Sequence, residues 1–316
     1  MNTDQMALLA RDGNSNPMHH LHKDQRLSCL PLDGFSLSKT LHAFYAAALQ
    51  STKAAAVWRL PGSGEISAVV DLGQVNELTH INFHRRRAGF VFAPFVGGDQ
   101  NAAYRIDADA VYTPAGLLLP DPGDNEPRRQ AQQQFAAALA ALLHADSPPS
   151  PRWYTSDGHA PDHAAGEAEY MHLVGQAVDF IRSSGIAKVV VSRTARQPLP
   201  PNFDPLAAFL ELTVRYPSAF VSLVAIPGIG TWLGASPEIL LTLDDRALTT
   251  MALAGTQRRP EDRPLSEVRW GHKEVVEQEM VSEYVRQFFA RAGVQHLVES
   301  GPQTVAAANV VHLETL

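Results

Sequence analysis

Apolar positions recur at helical spacing from residue 38 to residue 50, the first regular signal along the chain. Short β-type runs follow at 58–60, 66–72 and 81–84, set apart by Gly and Asn turns. GFVFAPF (89–95) and AYRIDADAVYT (103–113) read as further strands, and a turn-rich link over 120–128 leads into an Ala/Gln-rich helix over 129–144. Prolines at 148, 149, 151 and 161 then exclude regular structure and mark an organisational boundary.

Beyond that boundary the pattern is more regular. Residues 167–184 form an amphipathic helix stopped by Gly185, where a C-cap glycine belongs. IAKVVVSRTA (186–195) is a β-branched strand by pattern, and Asp204 with Pro205 opens a helix running to Tyr216. FVSLVAIPG, GTWLGAS, PEILLTLDD and ALTTMALAGT follow as strands, then a long helix over 265–292 and a closing strand in ANVVHLETL. Helices alternate irregularly with antiparallel-looking meanders, so an α+β fold is expected. The organisation expected is a flexible N-terminal segment (1–37), an N-terminal part of the fold (38–160) and a C-terminal region (161–316).

Composition narrows the classes. In 316 residues, 26 Lys and Arg stand against 33 Asp and Glu, a net charge of −7 without a basic block, so nucleic acid is not an expected partner. No apolar run approaches the about 18 residues of a membrane span, and the N-terminal apolar patch is too short for a signal peptide. A lone cysteine, Cys29, fits a reducing compartment. A soluble, cytoplasmic, monomeric protein is expected. His19, His20 and His22 invite a metal reading, but with no carboxylate or thiol at ligand spacing a mobile terminus is the better account.

Candidate chemistry concentrates in the long helix. At about 100° per residue, Val276, Met280, Val281, Tyr284, Val285 and Phe288 share one apolar face. Glu277 falls near its middle, with Glu274 three residues earlier toward the edge. A carboxylate on a buried stripe must be paired, protonated or metal-bound, and such a pair suits Mg²⁺; solvated glutamates at a protruding first turn are the plainer alternative. Lys188 could be a desolvated general base or a lysine snorkelling at a strand end. Glu238, after Pro237, could be a general acid with a raised pKa or a turn residue in water. Gly255, in ALAGTQRR with Arg258 and Arg259, permits close approach to a ligand, and a hairpin turn explains it equally well. GIGTWLG (228–234) misses the dinucleotide spacing, and Ser156, Asp157 and His159 lie in a proline-rich loop without rigid triad geometry.

KVVVSR, LGASPEIL, ALAGT with its arginine pair, KEVVEQEMV and NVVHLET occur in that order over about 165–316. Together they resemble the chorismate-utilising enzymes: isochorismate synthase, salicylate synthase, anthranilate synthase component I and aminodeoxychorismate synthase component I. FVFAPF (90–95) is a weaker match upstream. Lysine in KVVVSR is similar to members that use water as nucleophile, so the resemblance is greatest to isochorismate synthase. Gln278 departs from the histidine that many relatives carry there.

The resemblance implies layered antiparallel sheets with flanking helices and an Mg²⁺-dependent isomerase. Lys188 would deprotonate the water attacking C2 of chorismate, and Glu238 would protonate the departing C4 hydroxyl. Glu277 would bind Mg²⁺ with Glu274 assisting through a water. Ala254, Gly255 and Thr256 would contact the ring carboxylate, and His312 would line the pocket. Menaquinone or siderophore synthesis is the implied setting. Relatives continue past the HLxT segment with a second metal glutamate, a carboxylate-binding arginine and a glycine-rich strand. None follows Leu316, so a C-terminally incomplete site is expected. A salicylate synthase and an inactive chorismate-fold protein are the alternatives.

Overall fold

The computed structural model describes residues 27–74, 76–78, 88–94, 103–147, 150, 152–155, 166–243, 247–307 and 310–316. The histidine triplet, the strand expected at 81–84 and the Ser156/Asp157/His159 set lie outside these residues. In chain order the N-terminal elements are β1 (Leu27–Leu30), α1 (Leu37–Gln50), β2 (Ala54–Arg59), β3 (Ile66–Asp71), β4 (Asn76–Leu78), β5 (Gly89–Phe92), β6 (Ala103–Asp107), β7 (Ala110–Thr113) and β8 (Gly116–Pro120). Two helices, α2 (Glu126–Leu143) and α3 (Glu167–Ser184), lead into α4 (Pro205–Arg215), β9 (Phe220–Ile226) and β10 (Gly230–Ser236). The chain ends with β11 (Thr242–Leu243), β12 (Leu248–Thr249), β13 (Ala252–Arg258), α5 (His272–Arg291), β14 (Gln303–Ala307) and β15 (Val310–Thr315).

The largest sheet has seven strands in the order β1-β8-β7-β3-β2-β9-β10, so it takes strands from both sides of the boundary near residue 160. Every pair in it is antiparallel, with Val57 of β2 lying between Ala68 of β3 and Leu223 of β9. Its inner strands β2, β3, β7 and β9 are buried nearly throughout because both faces are covered there. Ala55, Val57, Val70 and Leu223 face α1, α2 and α4 around Phe44, Phe135 and Phe209. Ala54, Ala56, Val69 and Val224 face the small sheet β4-β6-β5 through Ile106 and Phe90.

Specific polar contacts fix this unit. Asp204 caps α4 by accepting from the amides of Leu206 and Ala207, and its other oxygen lies 2.8 Å from His42 Nε2 on α1. Arg59 is buried and donates to four carbonyls, those of Leu60, Tyr216, Pro217 and Ala219, pinning the corner between α4 and β9. Arg128 at the start of α2 meets Asp109 at 3.1 Å, and burial pushes the neighbouring Asp71 carboxyl above its ordinary pKa.

The C-terminal part is a three-stranded sheet, β13-β15-β14, with α5 packed on one face. Three expectations fail here. The run 186–195 forms no strand, and Val190 within it is 83% exposed. β-Branched residues favour extended backbone, but a strand exists only where a neighbour takes its hydrogen bonds, and none lies beside this run among the described residues. PEILLTLDD likewise contracts to the two residues of β11, paired with β12. The helix expected from 265 begins instead as a single 3₁₀ turn, Leu265–Glu267, and α5 starts at His272.

Phe44 makes edge-to-face contacts with Phe135 at 5.3 Å and Tyr112 at 6.2 Å in the largest apolar cluster. Phe44→Ala is expected to cost about 3–5 kcal/mol, read as a lower denaturant midpoint with an unchanged slope.

Candidate active site

The site is organised by one residue of irregular backbone. In β13 Ala254 pairs with Leu313 of β15, while Thr256 pairs with His312, so Gly255 is an extra residue inserted into the ladder. Its φ of +66° is left-handed, and a β-bulge explains it, not the hairpin turn that the sequence also allowed. The insertion changes which way the following side chains point. Ala254 lies buried on the α5 side with Leu313, whereas Thr256 is brought to the opposite face beside His312. There His312 Nδ1 donates to the Gly255 carbonyl at 3.1 Å, and the Thr256 hydroxyl is 3.2 Å from the same nitrogen. That assignment leaves Nε2 of a neutral imidazole as the acceptor.

Glycine is required here for a second reason. A Cβ at 255 would stand 3.2 Å from Cβ of Glu274 and 3.5 Å from the Trp270 ring. Glu274 therefore sits directly against the bulge. Gly271 gives its carboxylate room, since a Cβ there would be 2.7 Å from Oε2. Trp270 is anchored by its indole N–H, which donates to Thr304 of β14 at 2.9 Å.

One turn further along α5, Glu277 Oε1 accepts from Lys188 Nζ at 2.8 Å. Lys188 thus reaches the helix although its segment forms no strand. The burial of α5 differs from the apolar stripe expected: Tyr284 is 64% and Phe288 53% exposed, and Met280 is also exposed. The buried line is Gln278, Ser282 and Phe289 instead. Gln278 is the site residue whose importance the sequence did not disclose. Its Oε1 accepts from the Ala254 amide at 2.8 Å, and its Nε2 donates to the Ala252 carbonyl at 3.0 Å and to Thr315 Oγ1 at 2.9 Å.

On the outer side of α5, Arg286 donates to Glu279, Glu283 and both carboxylate oxygens of Glu299, clasping the helix to the segment before β14. The guanidinium holds the Glu299 carboxyl below its ordinary pKa.

The structure thus gathers Ala254, Gly255, Thr256, His312 and Glu274 at the bulge of β13 and joins Lys188 to Glu277 one turn further along α5. Glu238 is not joined to them. It is exposed on the turn after β10, where its amide donates to Ser236 Oγ at 3.4 Å. Its neighbours Pro237 and Ile239 line a cleft of about 1100 Å³, whose far side carries His312, Leu253 and Arg259. No group of three or more His, Cys, Asp or Glu side chains suited to a metal occurs among the described residues. No helix among them is long and apolar enough to cross a membrane.

A family model described as chorismate binding enzyme matches residues 108–316. Over 127 residues the chain is 32% identical to anthranilate synthase component 1 of Thermus thermophilus, covering 39% of this chain and 27% of that protein. Over 154 residues it is 25% identical to isochorismate synthase EntC of Escherichia coli, covering 47% of this chain and 39% of that protein. The chain spans about a quarter to two fifths of the length of these curated relatives. Among solved structures it is similar to MenF, the menaquinone-specific isochorismate synthase from Escherichia coli, with a TM-score of 0.64 and 20% identity over 95% of this chain and 73% of that one. The fold is therefore the α+β type of layered antiparallel sheets with flanking helices that the sequence led us to expect.

Gly255→Ala is expected to destabilise the protein by about 1–2 kcal/mol from the left-handed backbone alone, with crowding of Glu274 in addition. Gly175→Ala, in α3 with open space around it, is expected to stabilise by about 0.5–1 kcal/mol. Denaturant unfolding of the two variants measures the contrast.

Proposed function

The chain belongs to the chorismate binding enzyme family, and we propose that it converts chorismate to isochorismate with Mg²⁺, water adding at C2 as the C4 hydroxyl leaves. The observation that carries this reading is the 2.8 Å contact of Lys188 with Glu277, which sets an amine beside one of the two α5 carboxylates.

In this reading the substrate's ring carboxylate lies against the backbone of Ala254 and Gly255 and the hydroxyl of Thr256, with His312 beside it. An ammonium that donates to Glu277 has no lone pair to offer, so Lys188 must first give up a proton to solvent as that contact opens, and only the neutral amine then accepts one from the attacking water. Glu238 acts in its neutral form and delivers a proton to the departing hydroxyl. Its place on an exposed turn means that it must close toward the substrate before it can do so, as catalytic contacts in unliganded sites commonly do.

The residues present fit Mg²⁺. This ion is commonly held by one or two carboxylates while the substrate and waters complete its shell. Glu274 and Glu277 share one surface of α5, and glycines at 255 and 271 leave space beside Glu274. When bound, Mg²⁺ would neutralise the ring carboxylate.

An amine-using reaction is a second reading, favoured by the 32% identity to an anthranilate synthase component over a shorter stretch. The expected role is that of a single-substrate enzyme with neither nucleic acid nor membrane as partner, and its setting is menaquinone or siderophore synthesis.

Chromatography of a reaction with chorismate, Mg²⁺ and ammonium tests these readings. Isochorismate is the expected product. Anthranilate would favour the amine reading, salicylate would mean that pyruvate elimination follows, and unaltered chorismate would favour a non-catalytic protein. Lys188→Ala and Glu277→Ala are each expected to lower turnover by at least about 100-fold. Near-normal turnover in Lys188→Ala would remove it as the base.

A further inference from the structure

Gln278 is a polar side chain only 2% exposed whose amide accepts one hydrogen bond and donates two, all between 2.8 and 3.0 Å. The partners form a pattern. β13 is the outer strand of its sheet, and the carbonyl of Ala252 and the amide of Ala254 point to the same free edge. These are the two groups that an added strand would engage, and the Gln278 amide engages both. It ties α5 to β13 immediately before the bulge, and through Thr315 it ties α5 to β15, the strand of His312. Glu277 is its neighbour in sequence, and Glu274 lies one turn back against Gly255.

We propose that Gln278 is a positioning residue that couples the Glu274/Glu277 carboxylate pair to the substrate-facing bulge, so that a cation on the helix is sensed by the strands carrying Thr256 and His312. The proposal rests on the reading of Glu274 and Glu277 as cation ligands. Its physical basis is that a rotation or shift of α5 cannot occur around fixed β13 and β15 while two buried hydrogen bonds to the first and one to the second hold it in place. Opening them would leave buried polar groups without partners, which is far more costly than the bonds are individually stabilising. Helix and strand therefore move as one body, or the bonds break together.

The test uses the whole chain, ¹⁵N-labelled, with Mg²⁺ alone as the probe. The reporters are the backbone amides of Ala252 and Thr315, residues whose carbonyl and hydroxyl accept from Gln278 and which do not touch Glu274 among the described contacts. In the unaltered protein, Mg²⁺ is expected to shift these amides with the same concentration dependence as the amides of α5 around Glu277. Gln278→Met preserves length and removes all three bonds. In it the α5 response is expected to persist, the response at Ala252 and Thr315 to vanish, and exchange of the Ala254 amide to rise about tenfold. Gln278→His keeps one donor and one acceptor, and is expected to restore part of the strand response. Should the methionine variant fail to fold, Thr315→Val provides the second arm: it removes one bond and should weaken the response at Thr315 more than at Ala252. A strand response of full size in Gln278→Met, or in Thr315→Val at Thr315, overturns the proposal. Absence of any response on α5 overturns the cation reading and the proposal with it. A protein that passes these arms but leaves chorismate unaltered keeps Gln278 in its role and refutes the proposed reaction.

Discussion

The constraint on which the C-terminal half depends is a single left-handed residue. A strand alternates its side chains, so without an insertion Ala254 and Thr256 would face the same way. Gly255 breaks the alternation, and both consequences are needed. Ala254 stays under α5, where its small side chain lets the helix approach, while Thr256 reaches His312 on the open face. The bulge also makes room for Glu274 above it. The Thr256/His312 contact and the Glu274 side chain thus both adjoin the bulge, with glycine as the residue that permits it.

A bulged outer strand is a weak element, because it has a ladder on one side only and a break within it. The surroundings compensate with polar contacts in place of a second strand. Gln278 takes the free edge, Trp270 is held to β14 by its indole N–H, and Arg286 clasps α5 to the segment before β14. The N-terminal half is built on another principle. Its seven-stranded sheet is covered on both faces by apolar residues, and its polar contacts, such as Arg59 to the carbonyls of the α4–β9 corner, fix the connections. That corner lines the same cleft as His312, so the two halves meet where the substrate is proposed to bind.

How much of this could be read from sequence follows from how local each determinant is. α3 was legible to its end residues, because the apolar spacing, the acidic first turn and Gly185 all act within the element. α4 was legible through Asp204 and Pro205 for the same reason. The run 186–195 was not, because a strand is a property of two segments and β-branching describes only one of them. The face of α5 was misassigned for a related cause. Counting apolar residues selects Met280, Tyr284 and Phe288, but the strand edge beneath the helix requires an amide donor and acceptor, and so buries Gln278 and Ser282. The candidate site residues were named through the order of five motifs rather than through periodicity. Gln278 registered only as a departure, since nothing local distinguishes a glutamine that completes a sheet edge from one in water.

The contact between Lys188 and Glu277 has a different character from those that hold the fold. Both side chains are about one-third exposed, 36% and 32%, and a pair so open to water contributes only about 0–1 kcal/mol. It therefore does little to secure the segment that carries Lys188, and that segment forms no ladder among the described residues to do so instead. What such a pair provides is a low cost of opening. An ammonium must lose a proton before it can serve as a base, and a carboxylate must release its lysine before it can serve another cation. A buried bidentate pair would oppose both steps by several kcal/mol. The half-exposed geometry leaves Lys188 and Glu277 held near each other in the resting site and separable at small cost when both are required for something else.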